Sequence, residues 1–240
     1  MSRRDISSVV FSLALVAGVA GCGPGAVRTQ PPSAGHGEDG GLRYVALGDS
    51  YTIGTSVAEE ERWPNQLIAR LDGNPDLRLV ANLAVNGYTA QDVIDEQLPE
   101  LDALAPEFVT ILVGVNDVVQ GVPADRYEEN VTALLDQILG TVPPDRVLVV
   151  STPDYTVTPQ GARFGDPTSQ SAGIRRNNAI LAEAAADRGI SFVDIHDISL
   201  EAADDRSLVA VDGLHPSGVQ YARWVDRIAP AVEELLSERS

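Results

Sequence analysis

Ser50 stands in the segment Gly48-Asp49-Ser50-Tyr51, and Gly48 and Gly54 bracket a turn that can present a serine just beyond an apolar run. A serine hydroxyl attacks a carbonyl only when a base takes its proton, a carboxylate fixes the base's tautomer, and donors receive the oxyanion formed on attack. The chain holds three histidines, His36, His196 and His215, so a base has few candidates. His215 closes Asp212-Gly213-Leu214-His215-Pro216, where Asp212 is the candidate orienting acid. Asn86-Gly87-Tyr88 and Gly114-Val115-Asn116-Asp117 each follow an apolar run and offer backbone and amide N–H groups. Each segment also has a plainer reading: Ser50 as a helix cap, Asn86-Gly87 and Asn116-Asp117 as turns, and Asp212 with His215 as a surface hydrogen bond.

His196, flanked by Asp194 and Asp197, is the rival base. Asp194 and His196 fall in strand-like sequence and share a face, which does not bring the histidine to the tip of another strand. It reads as a partly buried residue bonded to an acid, and His36 as a solvated one. The remaining composition excludes much. All 17 basic residues are arginine, which removes Schiff-base, Ser-Lys and P-loop lysine chemistry. One cysteine allows neither an intramolecular disulfide nor a thiolate zinc site. A net charge of -18 argues against a nucleic-acid partner. The acidic residues are scattered without calcium-loop spacing and read as a solvated surface, and the serine chemistry above requires no metal or organic cofactor.

The candidate residues need elements to hold them at strand ends. Leu42–Leu47, Leu77–Leu83, Phe108–Val113, Val147–Ser151 and Ile190–Ile195 are short apolar runs, mostly β-branched or aromatic, and read as buried strands. Between them lie helical patterns over Trp63–Leu71, Ala90 to about Leu101, Tyr127–Leu139, Ile174–Arg188 and Val219–Leu236. Strict alternation predicts a three-layer α/β/α sandwich around a five-stranded parallel sheet, with chemistry gathered at the carboxyl ends of the strands. Pro153–Ser171, rich in Pro, Gly and Thr, is expected to be a loop overhanging the site, and Tyr88, Tyr155 and Phe164 are candidates to line it. Gly-x-Ser-x-Gly is absent because Thr52 stands where its second glycine belongs. Gly35-His36-Gly37-Glu38-Asp39-Gly40 matches a dinucleotide-binding pattern in form, but it precedes the first strand and is discounted.

Arg3 and Arg4 precede an uncharged run from Val9 to Ala20, which is short for a membrane span and reads as a signal peptide. Val19-Ala20-Gly21-Cys22 resembles the lipobox of bacterial lipoproteins, whose cysteine is acylated and becomes the new N-terminus. The expected organisation is a signal peptide over 1–21, a lipidated Cys22 and flexible tether over 22–41, and a folded domain over 42–240. The expected location is the outer face of the cytoplasmic membrane, or outside the cell.

The four blocks Gly48-Asp49-Ser50, Gly87, Gly114-x-Asn116-Asp117 and Asp212-x-x-His215, in that order, make the chain from Leu42 onward resemble an SGNH hydrolase of the GDSL esterase/lipase family. The resemblance implies a flavodoxin-like fold, with Ser50 as nucleophile, His215 as general base and Asp212 as its partner. It also implies an oxyanion hole formed by the backbone N–H groups of Ser50 and Gly87 and the side-chain amide of Asn116. A base of this kind gains rate as pH rises through about 6 to 7. The implied activity is hydrolysis of a carboxylic ester, with a small-molecule, lipid or acylated-glycan ester as substrate. A monomer is expected. The alternative is an envelope lipoprotein that binds a ligand on the same fold without turning it over.

Overall fold

The structure is a computed structural model that describes residues 40–237. The expected signal peptide, Cys22 and His36 lie outside the described residues.

Strands β1 (Leu42–Gly48), β2 (Leu77–Asn82), β3 (Phe108–Leu112), β4 (Val147–Val150) and β5 (Ser191–Val193) form one parallel sheet in the order β2-β1-β3-β4-β5. Both faces are covered, which is why the strands are near-continuous runs of apolar residues. In β1, Tyr44 and Ala46 point into one core while Val45 and Leu47 point into the other.

The helical segments are α1 (Ser50–Ile53), α2 (Trp63–Leu71), α3 (Ala90–Asp92), α4 (Leu101–Leu104), α5 (Val115–Val119), α6 (Ala124–Leu139), α7 (Pro167–Ala186), α8 (His196–Leu200) and α9 (Gly218–Ser237). Trp63 and Leu67 of α2 meet Tyr221, Trp224 and Ile228 of α9 on one face of the sheet. Val131, Leu134 and Ile138 of α6 meet Leu181 and Ala185 of α7 on the other. The expected sandwich is therefore present.

Three local expectations are corrected. The helix expected over Ala90 to about Leu101 is broken: α3 passes into a π-turn (Val93–Gln97), then a 3-10 turn (Leu98–Glu100), then α4. Pro99 lacks an N–H, and its ring clashes with an uninterrupted α-helical path. The last strand stops at Val193, because Ser151 Oγ accepts the Ile195 N–H at 2.8 Å and donates to Asp194 at 2.7 Å, drawing both residues out of the ladder. His196 consequently opens α8 and does not lie in a strand. The expected 153–171 loop ends early, since Asp166 caps α7 through the Ser169 N–H and Pro167 suits the first helical turn.

The chain leaves β1 for β2 on one side and returns to β3 on the other, so the strand order reverses between β1 and β3. Parallel sheets open a crevice at such a point. Gly48, at the end of β1, pairs with Leu112 at the end of β3. It adopts φ +145°, and a Cβ there would lie 2.3 Å from the Leu112 carbonyl oxygen and 2.7 Å from Thr52 Oγ1. Gly48→Ala is expected to destabilise the fold by about 2–3 kcal/mol through this overlap. Urea unfolding checks it, and an unchanged midpoint would mean the two strand ends can separate.

Candidate active site

Ser50 follows β1 directly and opens α1, where Asp49 caps the helix by accepting the Tyr51 N–H at 3.0 Å. Gly48 is held by Gln97: its N–H donates to Gln97 Oε1 at 2.9 Å and its carbonyl accepts from Gln97 Nε2 at 2.7 Å. Gln97 is buried and closes the π-turn, so the irregular segment delivers the amide that anchors the end of β1.

His215 Nε2 lies 2.9 Å from Ser50 Oγ, and His215 Nδ1 lies 2.6 Å from Asp212 Oδ2. The other Asp212 oxygen accepts the backbone N–H groups of Leu214 and His215 at 2.9 and 3.0 Å, which folds the short segment into a fixed bracket. Ser56 Oγ donates to Asp212 Oδ2 at 2.8 Å from a backbone with φ +68°. Partial burial opposes ionisation of Asp212, but the bonds from His215, Leu214 and Ser56 outweigh it and hold the carboxyl at about 2. The Tyr51 ring lies against the imidazole, with centroids 5.2 Å apart.

Two segments line the crevice beside the serine. β2 is carried past its last residue by bonds from Leu83 N–H to Ala46 and Val85 N–H to Gly48, which bring Asn86 and Gly87 alongside the end of β1. Gly87 turns the chain at φ +85°, a conformation that L side chains rarely adopt. The Ser50 and Gly87 backbone N–H groups donate to no protein acceptor among the described residues. Asn116, in α5, donates from Nδ2 to the Tyr88 carbonyl at 2.9 Å and lies 3.4 Å from Asp49 Oδ2. Its neighbour Asp117 is buried and accepts the Ala90 N–H, tying the Gly87 turn to α5.

Ser50, Gly87, Asn116 and His215 all line one cavity of about 200 Å³, with Val115, Val119, Tyr155, Phe164 and Leu214 among its walls. The structure thus brings together five of the six residues singled out in the sequence: Ser50, Gly87, Asn116, Asp212 and His215. The sixth, Cys22, lies outside the described residues. His196 is elsewhere. Its backbone N–H donates to the neighbouring Asp194 at 2.9 Å, while its ring Nε2 lies 3.7 Å from Asp154 with no hydrogen-bond partner among the described residues. Gln97 and Ser56 escaped the sequence reading: a glutamine in an amphipathic stretch and a serine in a turn carry no signal of the distant backbone and carboxylate they reach.

Residues 46–223 match the GDSL-like lipase/acylhydrolase family. The chain belongs to that family. Membership supports a hydrolase activity for the chain. No curated protein matches it at a significant level. Among solved structures, it is similar to an α/β-hydrolase enzyme from the metagenome of Lake Arreo, Spain, with 20% identity, TM-score 0.65, and coverage of 81% of this chain and 96% of that one. An acetyl xylan esterase from Geobacillus stearothermophilus is similar at 18% identity and TM-score 0.63, over 80% and 94% of the two chains. So is a psychrotrophic esterase from Pseudoalteromonas sp., inhibited by monoethylphosphonate, at 19% identity and TM-score 0.62 over 82% and 100%. At these identities the likeness is one of fold.

Within this GDSL-like chain Asp49 is the carboxyl with the strongest pH consequence. Burial pushes it up to about 7, the Tyr51 bond opposes that, and the charge of Asp117 adds to it. An unfolded aspartate titrates near 4. Between about pH 4 and 7 the folded state therefore binds more protons than the unfolded one, so this contribution to stability is complete at the acid end and is lost as pH rises through the window. Asp49→Asn, which keeps an acceptor for the Tyr51 N–H, is expected to flatten that decline. Urea midpoints measured between about pH 4 and 8 check it. An identical slope in the variant would assign the proton to another group, Asp117 first, since burial raises that carboxyl as well.

Proposed function

We propose that this GDSL-family hydrolase is a serine esterase that cleaves carboxylic esters through an acyl-enzyme on Ser50. The observation that carries the reading is the unbroken relay at the cavity, Ser50 Oγ to His215 Nε2 at 2.9 Å and His215 Nδ1 to Asp212 Oδ2 at 2.6 Å. Ser50 Oγ attacks the ester carbonyl carbon while His215 Nε2 takes its proton. Asp212, ionised down to about pH 2, fixes the tautomer and faces the imidazolium that results. The carbonyl oxygen becomes an oxyanion held by the Ser50 and Gly87 N–H groups and by Asn116 Nδ2, whose 3.4 Å contact to Asp49 is the weak one to exchange. Collapse breaks the bond to the alcohol oxygen, which receives the proton from His215. Water then repeats the sequence, releasing the acid and restoring Ser50. No metal or organic cofactor enters these steps.

A phosphonate ester tests the nucleophile directly, since it forms a stable adduct only on an activated serine. The expected result is one adduct mapped to Ser50 by mass spectrometry and absent from Ser50→Ala, with ester hydrolysis reduced at least about 10⁴-fold in that variant. Asn116→Ala is expected to lose about 10²–10³ in kcat with its fold intact. Labelling elsewhere, or full activity in Ser50→Ala, would reject the mechanism.

We propose further that residues 42–240 are the catalytic domain and that Cys22 carries a lipid anchor, with 1–21 removed as a signal peptide and the tether after Cys22 joining the two. The support is the Val19-Ala20-Gly21-Cys22 segment behind an uncharged run. Among the described residues no helix is long and apolar enough to cross a membrane. In a bacterial host, the full-length protein is expected to incorporate labelled fatty acid and partition into detergent. Cys22→Ser should do neither, and an unlabelled wild type would remove the anchor.

A further inference from the structure

We propose that the recess beside Ser50 selects an unbranched or aryl acyl group of about six to eight carbons, and that the alcohol half of the ester stays outside it. This rests on the serine-esterase reading above and goes beyond it to the acyl half of the substrate.

The first argument is size. An apolar cavity of about 150 Å³ takes one benzene ring. The recess holds about 200 Å³, so an acetyl group would leave most of it empty and a palmitoyl chain would not fit inside.

The second is the chemistry of the walls. Apart from the groups assigned to the reaction, Val115, Val119, Leu214, Tyr155 and Phe164 present mainly hydrocarbon. Two of the polar atoms nearby are already used. Tyr155 Oη donates to Gln170 Oε1 at 2.5 Å, and Asn86 Oδ1 accepts from Thr55 Oγ1 at 2.6 Å. A sugar ring carries a hydroxyl on most of its carbons, and burying them here without partners is costly. An alkyl or phenyl group meets no such cost and gains from every carbon it buries.

The third is that the dimensions are built in. Asn116 and Val119 are three residues apart on α5 and share a face, so one wall runs from the oxyanion amide to Val119. That helix cannot retreat, because Val118 packs so closely on Gly173 of α7 that a Cβ there would lie 2.8 Å from it. On the opposite side Phe164 packs edge-on against Tyr155 at 5.7 Å, and Tyr155 is pinned to α7 through Gln170. Phe164 nonetheless remains 39% exposed, an aromatic left half in water at the mouth where a bound chain would cover it.

The test is kcat/KM of the full-length protein on p-nitrophenyl esters from acetate to palmitate, with phosphonate labelling of Ser50 run in parallel. The expected profile climbs about fourfold per buried methylene, peaks at hexanoate to octanoate and falls toward palmitate. Val119→Phe should move the peak to butyrate or shorter. Phe164→Ala, at a half-exposed position, should lower and broaden it, which keeps the inference testable if Val119→Phe does not fold. Acetate or palmitate as the best substrate, or a flat series, overturns the acyl-size inference, while a labelled Ser50 leaves the esterase reading standing. A flat acyl series with a peak across alkyl acetates would place the alcohol in the recess, also against the proposal. No hydrolysis and no label would take down both.

Discussion

The ends of β1 and β3 approach each other without room for a side chain between Gly48 and the Leu112 carbonyl, and the rest of the site is arranged around that contact. It lies where the strand order reverses, so the chains emerging from the two ends diverge and leave a crevice. Ser50 leaves β1 on one lip, and Asn116 leaves β3 on the other. Gln97 secures the geometry from below by occupying both hydrogen-bonding groups of Gly48. The carbonyl also accepts the Val85 N–H, but a buried backbone N–H left unpaired would be costly, so this side chain also meets a requirement of the sheet itself.

Charge is handled differently at the surface and in the crevice. The arginines near acids pair in water, as Arg126 does with Glu129 and Arg227 with Asp197, and such exposed pairs add little stability. The crevice instead buries Asp49 and Asp117, and among the described residues neither has an ion-pair partner. Their bonds come mainly from backbone N–H groups, with one long bond from Asn116 Nδ2 to Asp49, and burial raises both carboxyls toward the neutral form. Asp212, only partly buried and bonded by His215, Leu214 and Ser56, moves the opposite way. Three aspartates within one site thus differ because their surroundings differ, and the one that faces an imidazole is the one held ionised.

The relay is assembled from distant parts of the chain, yet each part is locally rigid. Asp212 and His215 are held by bonds within a five-residue bracket, and the Asp49 cap sets the direction of α1. The bracket must then meet the cap, and the packing of α9 on α2 through Trp63, Tyr221 and Trp224 supplies that. Dispersion and apolar burial in this cluster position the base against the serine, although none of the three aromatic residues lines the cavity.

By itself the sequence determined the elements and the chemistry-bearing blocks. Five apolar β-branched runs separated by amphipathic stretches can bury both faces only as a covered parallel sheet, and Ser50, Gly87, Asn116, Asp212 and His215 stand in short segments whose roles depend on near neighbours. Periodicity reports local burial, so it was blind where a distant partner decided the conformation. Pro99 is a local signal for the break after Asp92 that the helical spacing passes over, but only the tertiary structure turned Gln97 onto Gly48. It likewise ended β5 at Val193, through the side chain of Ser151, and removed His196 from the strand. Ser56 reaching Asp212 and the meeting of Val115, Leu214 and Phe164 around one cavity belong to the same class. Each is set by the approach of segments far apart in the chain, a distance that no spacing within one segment encodes.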